Sequence, residues 1–428
     1  MSSIEIFPGA LSGEFTLPSS KSHTLRAFIF ALMANGTSSI HNPLISNDAK
    51  TMLRACEQLG AKYLFEHNTC HITGVAGVLK PSDDIIDCGN SGIVFRFLSA
   101  LASLLNCYTI FSGDTSMRYQ RPIEPLLLAL RQCGVFAESA RNNGCAPVII
   151  KGPVQRTRTC VLGEDSQFVS ALLVLGAFTE SGLEIIVESP CELPWIDLTC
   201  YWLRLLDIKF ERSGYTYFKV YPKNPLSPFS YDVPGDLSSA AFSIVGALIT
   251  DSTIKIKNID LEDAQGDKHV LTLLEKMGAK FVFEKATKTL SVLPSSELCG
   301  IDIDMDQCID ALPILAVAGC FAKGKTRLYN AKAAKFKESN RIDSIAIELK
   351  KMGATIDVCE DGLTIHNSSL HSAFLRTYQD HRMVMALAAA CLKAKSSCII
   401  DDISATHKSY PEFFSDMKRL GMNYRLCH

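Results

Sequence analysis

The sequence predicts an α/β (α+β) protein of two domains, assembled from six βαβαββ units whose helices are buried and wrapped by sheets. Three observations predict it. A short signature recurs at Gly60, Gly134, Asp207, Gly278, Gly353 and Gly421, as in Gln58-Leu-Gly60-Ala-Lys-Tyr and Lys276-Met-Gly278-Ala-Lys-Phe. The separations of 74, 73, 71, 75 and 68 residues let six copies fill the chain, which chance spacing would hardly do. Second, segments such as Ala240–Ile249, Pro313–Phe321 and Met383–Leu392 are apolar nearly all round, so they belong in a core and not at a surface. Third, 428 residues with 47% hydrophobic content exceed one core and supply material for two or three.

Each element of the unit follows from its residues. An apolar helix such as Phe95–Leu105 or Phe168–Phe178 leads to a β run such as Tyr108–Phe111 or Leu183–Val187. A second, amphipathic helix ends on the recurrent signature, where glycine suits the turn out of a helix. Two strands close the unit, as in Lys280–Glu284 and Thr289–Leu293. The proline-rich stretch Pro222–Pro228 leads to Pro234-Gly235, the favoured domain boundary. A first strand before Lys21 and a last unit at the chain end pair the N-terminal segment with the C-terminal half. The expected domains are 1–19 with 235–428, and a continuous 20–234.

Composition excludes several classes of function. A formal charge of −2 and a pI near 6.6 argue against a nucleic-acid or membrane-surface protein, so anion binding must come from local cations. The 16 cysteines are scattered, without a C-x-x-C pair or zinc-site spacing, and read as small core residues in a reducing, cytoplasmic compartment. No apolar run reaches the length of a bilayer span, and no basic leader precedes one at the start. Neither a metal nor a cofactor is expected.

The chemistry gathers at helix starts. Leu17-Pro-Ser-Ser-Lys21-Ser22 with Arg26 places a lysine, a hydroxyl and an arginine on the first turns of a helix, whose free N–H groups and dipole favour anions. An ordinary capped surface helix would explain that stretch equally well on its own. The other units open on Gly89-Asn90-Ser-Gly92, Glu164-Asp-Ser166-Gln167, Gly235-Asp-Leu-Ser238, Cys308-Ile-Asp310-Ala and Gln379-Asp-His-Arg382. Simple capping accounts for Ser, Asp and Asn in these clusters but not for Lys21, Gln167 and Arg382. If the units pack with pseudo-symmetry, such helix starts suit a substrate with several negative charges. Arg118 and Arg121 precede Pro122 near a helix start, where solvated arginines are the default. In Lys335-Phe-Lys337-Glu338-Ser-Asn-Arg341 the cations oppose the dipole of the helix they begin, so Lys337 and Arg341 suggest an anionic ligand. Lys408 adds a cation in the last unit. Gly319-Cys-Phe-Ala-Lys-Gly324-Lys325-Thr326 matches the phosphate-loop pattern, but it follows a helix and precedes a strand, the reverse of the required context.

These motifs together make the chain resemble the enolpyruvyl transferases of the 5-enolpyruvylshikimate-3-phosphate synthase family over its full length. The motifs are Leu17-Pro-Ser-Ser-Lys-Ser with Arg26, Gly89-Asn-Ser-Gly with Arg96, Arg121-Pro-Ile, Ser166-Gln-Phe, Pro234-Gly-Asp, Asp310, Lys337-Glu-Ser-Asn-Arg-Ile, Gln379-Asp-His-Arg-Met and Lys408. The resemblance implies an inside-out α/β barrel in two domains, a cytoplasmic monomer that closes over shikimate 3-phosphate and phosphoenolpyruvate without metal or cofactor. It implies Lys21, Ser22, Arg26, Ser166, Asp310 and Lys337 around the phosphorylated acceptor. Around phosphoenolpyruvate it implies Lys21, Asn90, Gly92, Arg121, Gln167, Arg341, Arg382 and Lys408. Asp310 is the implied base, with Glu338 and Lys21 as proton donors or relays.

The chain departs from the family pattern at Ile93, Asp165, Glu192, Trp195 and Ala333. Asp165 stands where a serine is usual and Glu192 near another usual serine, and both would repel a phosphate unless turned away or protonated. Three rival readings follow: transfer to another acceptor such as a nucleotide sugar, a catalytically silent metabolite-binding relative, and an ATP-dependent kinase through Gly319–Thr326.

Overall fold

The computed structural model describes residues 3–295 and 297–427, and its chain forms two compact units, Met1–Pro18 with Pro234–His428 and Ser19–Val233. Six four-stranded sheets are present, three in each unit, as a sixfold βαβαββ repeat requires. Every sheet holds one parallel pair, and in four of the six the two strands of that pair are joined through a central helix, as Asp302–Asp304 and Lys325–Tyr329 are by the Leu312–Phe321 helix. A hairpin then completes the sheet, as Lys280–Glu284 does with Thr289–Leu293.

The central helices are Lys21–Met33, Gly92–Ala102 and Ser166–Phe178 in one unit, and Leu237–Ile249, Leu312–Phe321 and His381–Cys391 in the other. Leu237–Ile249 and His381–Cys391 bury every residue, which fits their lack of a polar face. Within the discontinuous unit all three central helices pack on one another; in the continuous unit Gly92–Ala102 packs on both of its companions. Glycines allow the sheets to approach. A Cβ on Gly176 would lie 3.0 Å from the side chains of both Leu183 and Val220.

The recurrent signature works as its position suggests. Gly60, Gly134, Gly278, Gly353 and Gly421 all adopt positive φ after their helices, and Asp207 takes the same left-handed conformation at φ 53°. Chain order and sheet membership part company at three strands. Ser12–Thr16, which precedes the first central helix, pairs in parallel with Thr253–Lys257 in the discontinuous unit. Ser230–Asp232 instead serves as the opening strand of the first unit, parallel to Thr37–His41. The last unit has only one strand after its signature, Tyr424–Cys427, in place of the expected pair. Its fourth strand is Ser3–Ile6, inserted antiparallel between Cys398–Ile400 and Tyr424–Cys427.

One local expectation shifts and one holds. Pro122 lies in the connection between the short Thr115–Tyr119 helix and Glu124–Gln132, so Pro125 is the proline of the first turn. The phosphate-loop match runs from the end of the Leu312–Phe321 helix into the Lys325–Tyr329 strand, so no helix follows it to receive a phosphate. All sixteen cysteines are free of disulfides. No helix among the described residues is long and apolar enough to cross a membrane.

Candidate active site

In the continuous unit the predicted residues form neighbouring clusters at central-helix starts. Ser20 caps the first helix, its side chain accepting the His23 N–H at 3.4 Å. Lys21 follows at the first position, its ammonium 3.7 Å from Asp48. One turn on, the Arg26 guanidinium is buried and bonds only neutral acceptors: Thr199 Oγ1 at 3.0 Å, the Ser22 carbonyl at 3.2 Å and the Trp195 carbonyl at 3.4 Å. Among the described residues no carboxylate pairs with it, and burial pulls its pKa down to about 9. A desolvated cation of this kind gains from an anionic ligand.

The second cluster surrounds the start of the Gly92–Ala102 helix. Arg121 is buried and donates from Nη1 to the Asn90 carbonyl at 3.0 Å. Asn90 Nδ2 donates to Asp114 and, at 3.0 Å, to Ser116 Oγ. Gly92 leaves room for two guanidiniums, since a Cβ there would stand 2.6 Å from Arg121 Nη2 and 3.1 Å from Arg96 Nη1. Arg96 joins this cluster to the next helix, donating to Gln167 Oε1 at 3.0 Å and pairing with Asp165 at 2.9 Å. Asn90, Gly92, Arg121 and Gln167 are thus brought together. Arg96, which the site expectation omitted, is the residue that links them. Its sequence signal was its place one turn after Gly92.

The third cluster answers the question raised by Asp165 and Glu192. Neither carboxylate turns away from the Ser166–Phe178 helix. Asp165 caps it, accepting the Gln167 N–H at 2.9 Å, while Glu192 accepts from both the Ser166 N–H at 3.2 Å and the Ser166 hydroxyl at 2.8 Å.

In the discontinuous unit one ion network gathers Asp310, Glu338, Arg341, Arg382 and Lys408. Arg341 is 1% exposed and contacts three carboxylates: Asp380 at 2.8 and 3.3 Å, Glu338 at 2.7 Å and Asp310 at 2.7 Å. Arg382 bonds the other Asp310 oxygen at 2.9 Å, and Lys408 bonds Glu338 at 2.6 Å. The helix that Arg341 begins is capped by Asn340. The cost of a cation at a helix start is therefore offset by the chain's own carboxylates, where the sequence suggested a ligand alone. Asp380, absent from the expected site, caps the His381–Cys391 helix and holds Arg341 at once.

The electrostatics of the network follow from its geometry. Burial would raise the Asp310 carboxyl, but Arg382, Arg341 and Lys337 outweigh it and hold the group well below the usual carboxylate range. Burial opposes the charge on Arg341, yet Asp380, Glu338 and Asp310 raise its pKa above the ordinary arginine value. Three cations, Arg341, Arg382 and Lys408, meet three carboxylates, Asp310, Glu338 and Asp380, and Lys337 adds a further positive charge toward Asp310. Behind them Asp267 is buried and accepts from the Ser238 hydroxyl, while its Oδ1 has no hydrogen-bond partner. Burial, with Asp310 adding, pushes its carboxyl up to about 7. Asp267 lies in the short 3-10 turn Gly266–Lys268 and carries no signal in the sequence that would single it out.

Such an arrangement can clamp an anion bearing carboxylate and phosphate while presenting an ionised carboxylate to a hydroxyl. A family model for EPSP synthase (3-phosphoshikimate 1-carboxyvinyltransferase) matches residues 7–417. The chain belongs to this family. It is 41% identical to the 3-phosphoshikimate 1-carboxyvinyltransferase of Chlamydia caviae over 100% of this chain and 96% of that one. Identity is also 41% to the Acetivibrio thermocellus protein of the same name, with 97% of each chain covered. Among solved structures, EPSP synthase from Acinetobacter baumannii superposes over 100% of both chains with a TM-score of 0.83 and 27% identity. The enolpyruvyl transferase NikO from Streptomyces tendae shares the fold at a TM-score of 0.77 and 18% identity, covering 99% of each chain. The family expected from the motifs, the inside-out α/β fold and the assignment as an enolpyruvyl-transferring enzyme are borne out.

Proposed function

We propose that the protein transfers the enolpyruvyl group of phosphoenolpyruvate to the 5-hydroxyl of shikimate 3-phosphate, releasing phosphate, as a cytoplasmic monomer. The observation that supports this most is the Arg341–Asp310–Arg382 network, a carboxylate held ionised between two guanidiniums. Asp310 accepts the proton of the acceptor hydroxyl as its oxygen bonds to C2 of phosphoenolpyruvate. A proton delivered to the methylene carbon through Glu338 and Lys21 completes the addition. Elimination then returns a proton from the new methyl group and breaks the C2–phosphate oxygen bond.

The same network accounts for the timing. An Asp310 carboxylate paired with two arginines is a weak base. Phosphoenolpyruvate offers its carboxylate and phosphate to Arg341, Arg382 and Lys408, and to Arg121 with Asn90, Gly92 and Gln167. Sharing the guanidinium charge with these anions restores basicity to Asp310 only when substrate is bound. Lys21, Ser22, Arg26, Ser166 and Lys337 receive the phosphorylated acceptor. The reaction calls on residues from both domains, 1–19 with 235–428 and 20–234. No metal or organic cofactor takes part in this scheme.

The test is phosphate release from phosphoenolpyruvate by purified protein with shikimate 3-phosphate, a UDP-sugar or no acceptor. Release only with shikimate 3-phosphate is the expected result. Release with the UDP-sugar instead would overturn the acceptor assignment, and binding of phosphoenolpyruvate without any release would mark a silent relative.

A further inference from the structure

Glu192 has no part in the chemistry above, yet it is among the most constrained residues of the continuous unit. It stands immediately before the Leu193–Leu205 helix with φ 52° and ψ 43°, a left-handed conformation that a residue with a side chain adopts only where its surroundings impose it. Its side chain is 1% exposed. Its Oε2 accepts from the Ser166 amide at 3.2 Å and from the Ser166 hydroxyl at 2.8 Å.

The donors of that first turn are thereby served by the chain's own anions. Asp165 holds the Gln167 amide and Arg96, and Glu192 holds both donors of Ser166. A charge-assisted pair of this kind is about twice as strong as a neutral one, so an incoming anion must displace it or do without Ser166. Arg26 shows the opposite condition, a buried cation whose partners among the described residues are neutral. The two sites differ in which of them is ready for a phosphate.

We propose that Glu192 is a specificity-determining residue of the transferase, a resident carboxylate that withholds the Ser166 amide and hydroxyl from the phosphate of the acceptor. The proposal rests on the transferase reading given above. In the resting enzyme the acceptor phosphate is recruited by Lys21 and Arg26, and Ser166 contributes only after Glu192 yields. Acceptor affinity is held down, whereas phosphoenolpyruvate, whose arginines lie elsewhere, is unaffected.

Glu192→Ser and the nearly isosteric Glu192→Gln separate these effects. Calorimetric titration of each variant and of the unaltered protein with shikimate 3-phosphate, and separately with phosphoenolpyruvate, reads them directly. The expected result is shikimate 3-phosphate binding about tenfold tighter in Glu192→Ser and less so in Glu192→Gln, which keeps an oxygen for Ser166 but drops the charge. Phosphoenolpyruvate affinity should stay within about twofold. In steady state the acceptor KM should fall by the same factor as its Kd. Unchanged or weaker acceptor binding in both variants, with melting temperatures retained, would overturn the proposal. Should Glu192→Ser fail to fold, Glu192→Gln alone decides the matter. Absence of phosphate release from the unaltered protein with every acceptor would instead sink the transferase reading, and the change in acceptor binding would still be readable.

Discussion

Single side chains set the reactivity of this protein by how they balance buried charge. Asp310→Ala removes the proposed base and Lys21→Ala a proposed relay, and each should lower kcat by about 10²–10⁴-fold while the far-ultraviolet circular dichroism is retained. Full activity in either would refute its assigned role. Gly92→Ala puts a methyl group 2.6 Å from Arg121 Nη2, the far end of a flexible side chain. The guanidinium must swing aside, so the KM for phosphoenolpyruvate should rise roughly tenfold without loss of thermal stability. Asp267 carries a pH dependence. Burial raises its pKa to about 7, above the roughly 4 of an unfolded chain, so the native state is favoured by protonation. That stabilisation is fully present below about pH 4 and is lost as pH rises through about 7. Asp267→Asn keeps an acceptor for the Ser238 hydroxyl and cannot ionise. Its melting temperature should match that of the parent at pH 4 and exceed it at pH 8, by about 2–4 °C for each kcal/mol recovered. An offset that is the same at both values would show that Asp267 does not titrate in this range.

Elements are held by partners distant in sequence. Ser3–Ile6 fills an interior position of the sixth sheet, with Ile4 and Ile6 fully buried between Cys398–Ile400 and Tyr424–Cys427. Ile4→Ala should therefore cost about 2–5 kcal/mol, as truncation in a closely packed core does, although it lies four residues from the chain start. Urea unfolding would read the loss, and a change below about 0.5 kcal/mol would mean that the strand is dispensable. The central helices show why composition alone made them recognisable. With no polar face, Leu237–Ile249 and His381–Cys391 have no stable place outside a core. Their starts are polar because a buried helix still has unsatisfied N–H groups, and Asp236 and Asp380 meet that need from within the chain.

The whole molecule divides unevenly in its dependence on chain continuity. Every sheet strand of Ser19–Val233 comes from within that unit, whereas Pro234–His428 lacks two of its strands, Ser3–Ile6 and Ser12–Thr16. Expressed alone, 19–233 should give a cooperative thermal transition and dispersed amide resonances. By the same measures 234–428 should not, unless 1–18 is supplied on the same chain. Independent folding of 234–428 would contradict the role given to the borrowed strands.

The repeat, the buried helices and the family were determined by the sequence itself, because they rest on local rules. A glycine signature returning every seventy or so residues and apolar segments without a polar face carry their meaning in the residues alone. Cations at helix starts drew attention to Lys21, Arg26, Lys337 and Arg341 by the same local rules, whereas most of the candidate site was named through the resemblance to the family. The exchange of strands was not legible. Ser230–Asp232 and Ser12–Thr16 each precede a central helix in the chain, and only packing assigns each to the other's unit. Nor was the direction of the acidic side chains. Asp380 read as a capping acid in a helix-start cluster, Asp267 carried no signal, and Glu192 read as an obstacle to phosphate. Tertiary structure decided that Asp380 holds Arg341, that Asp267 lies desolvated behind Asp310, and that Glu192 grasps Ser166. A charge acquires its energy from the neighbours that burial brings to it, and those neighbours lie tens of residues away along the chain.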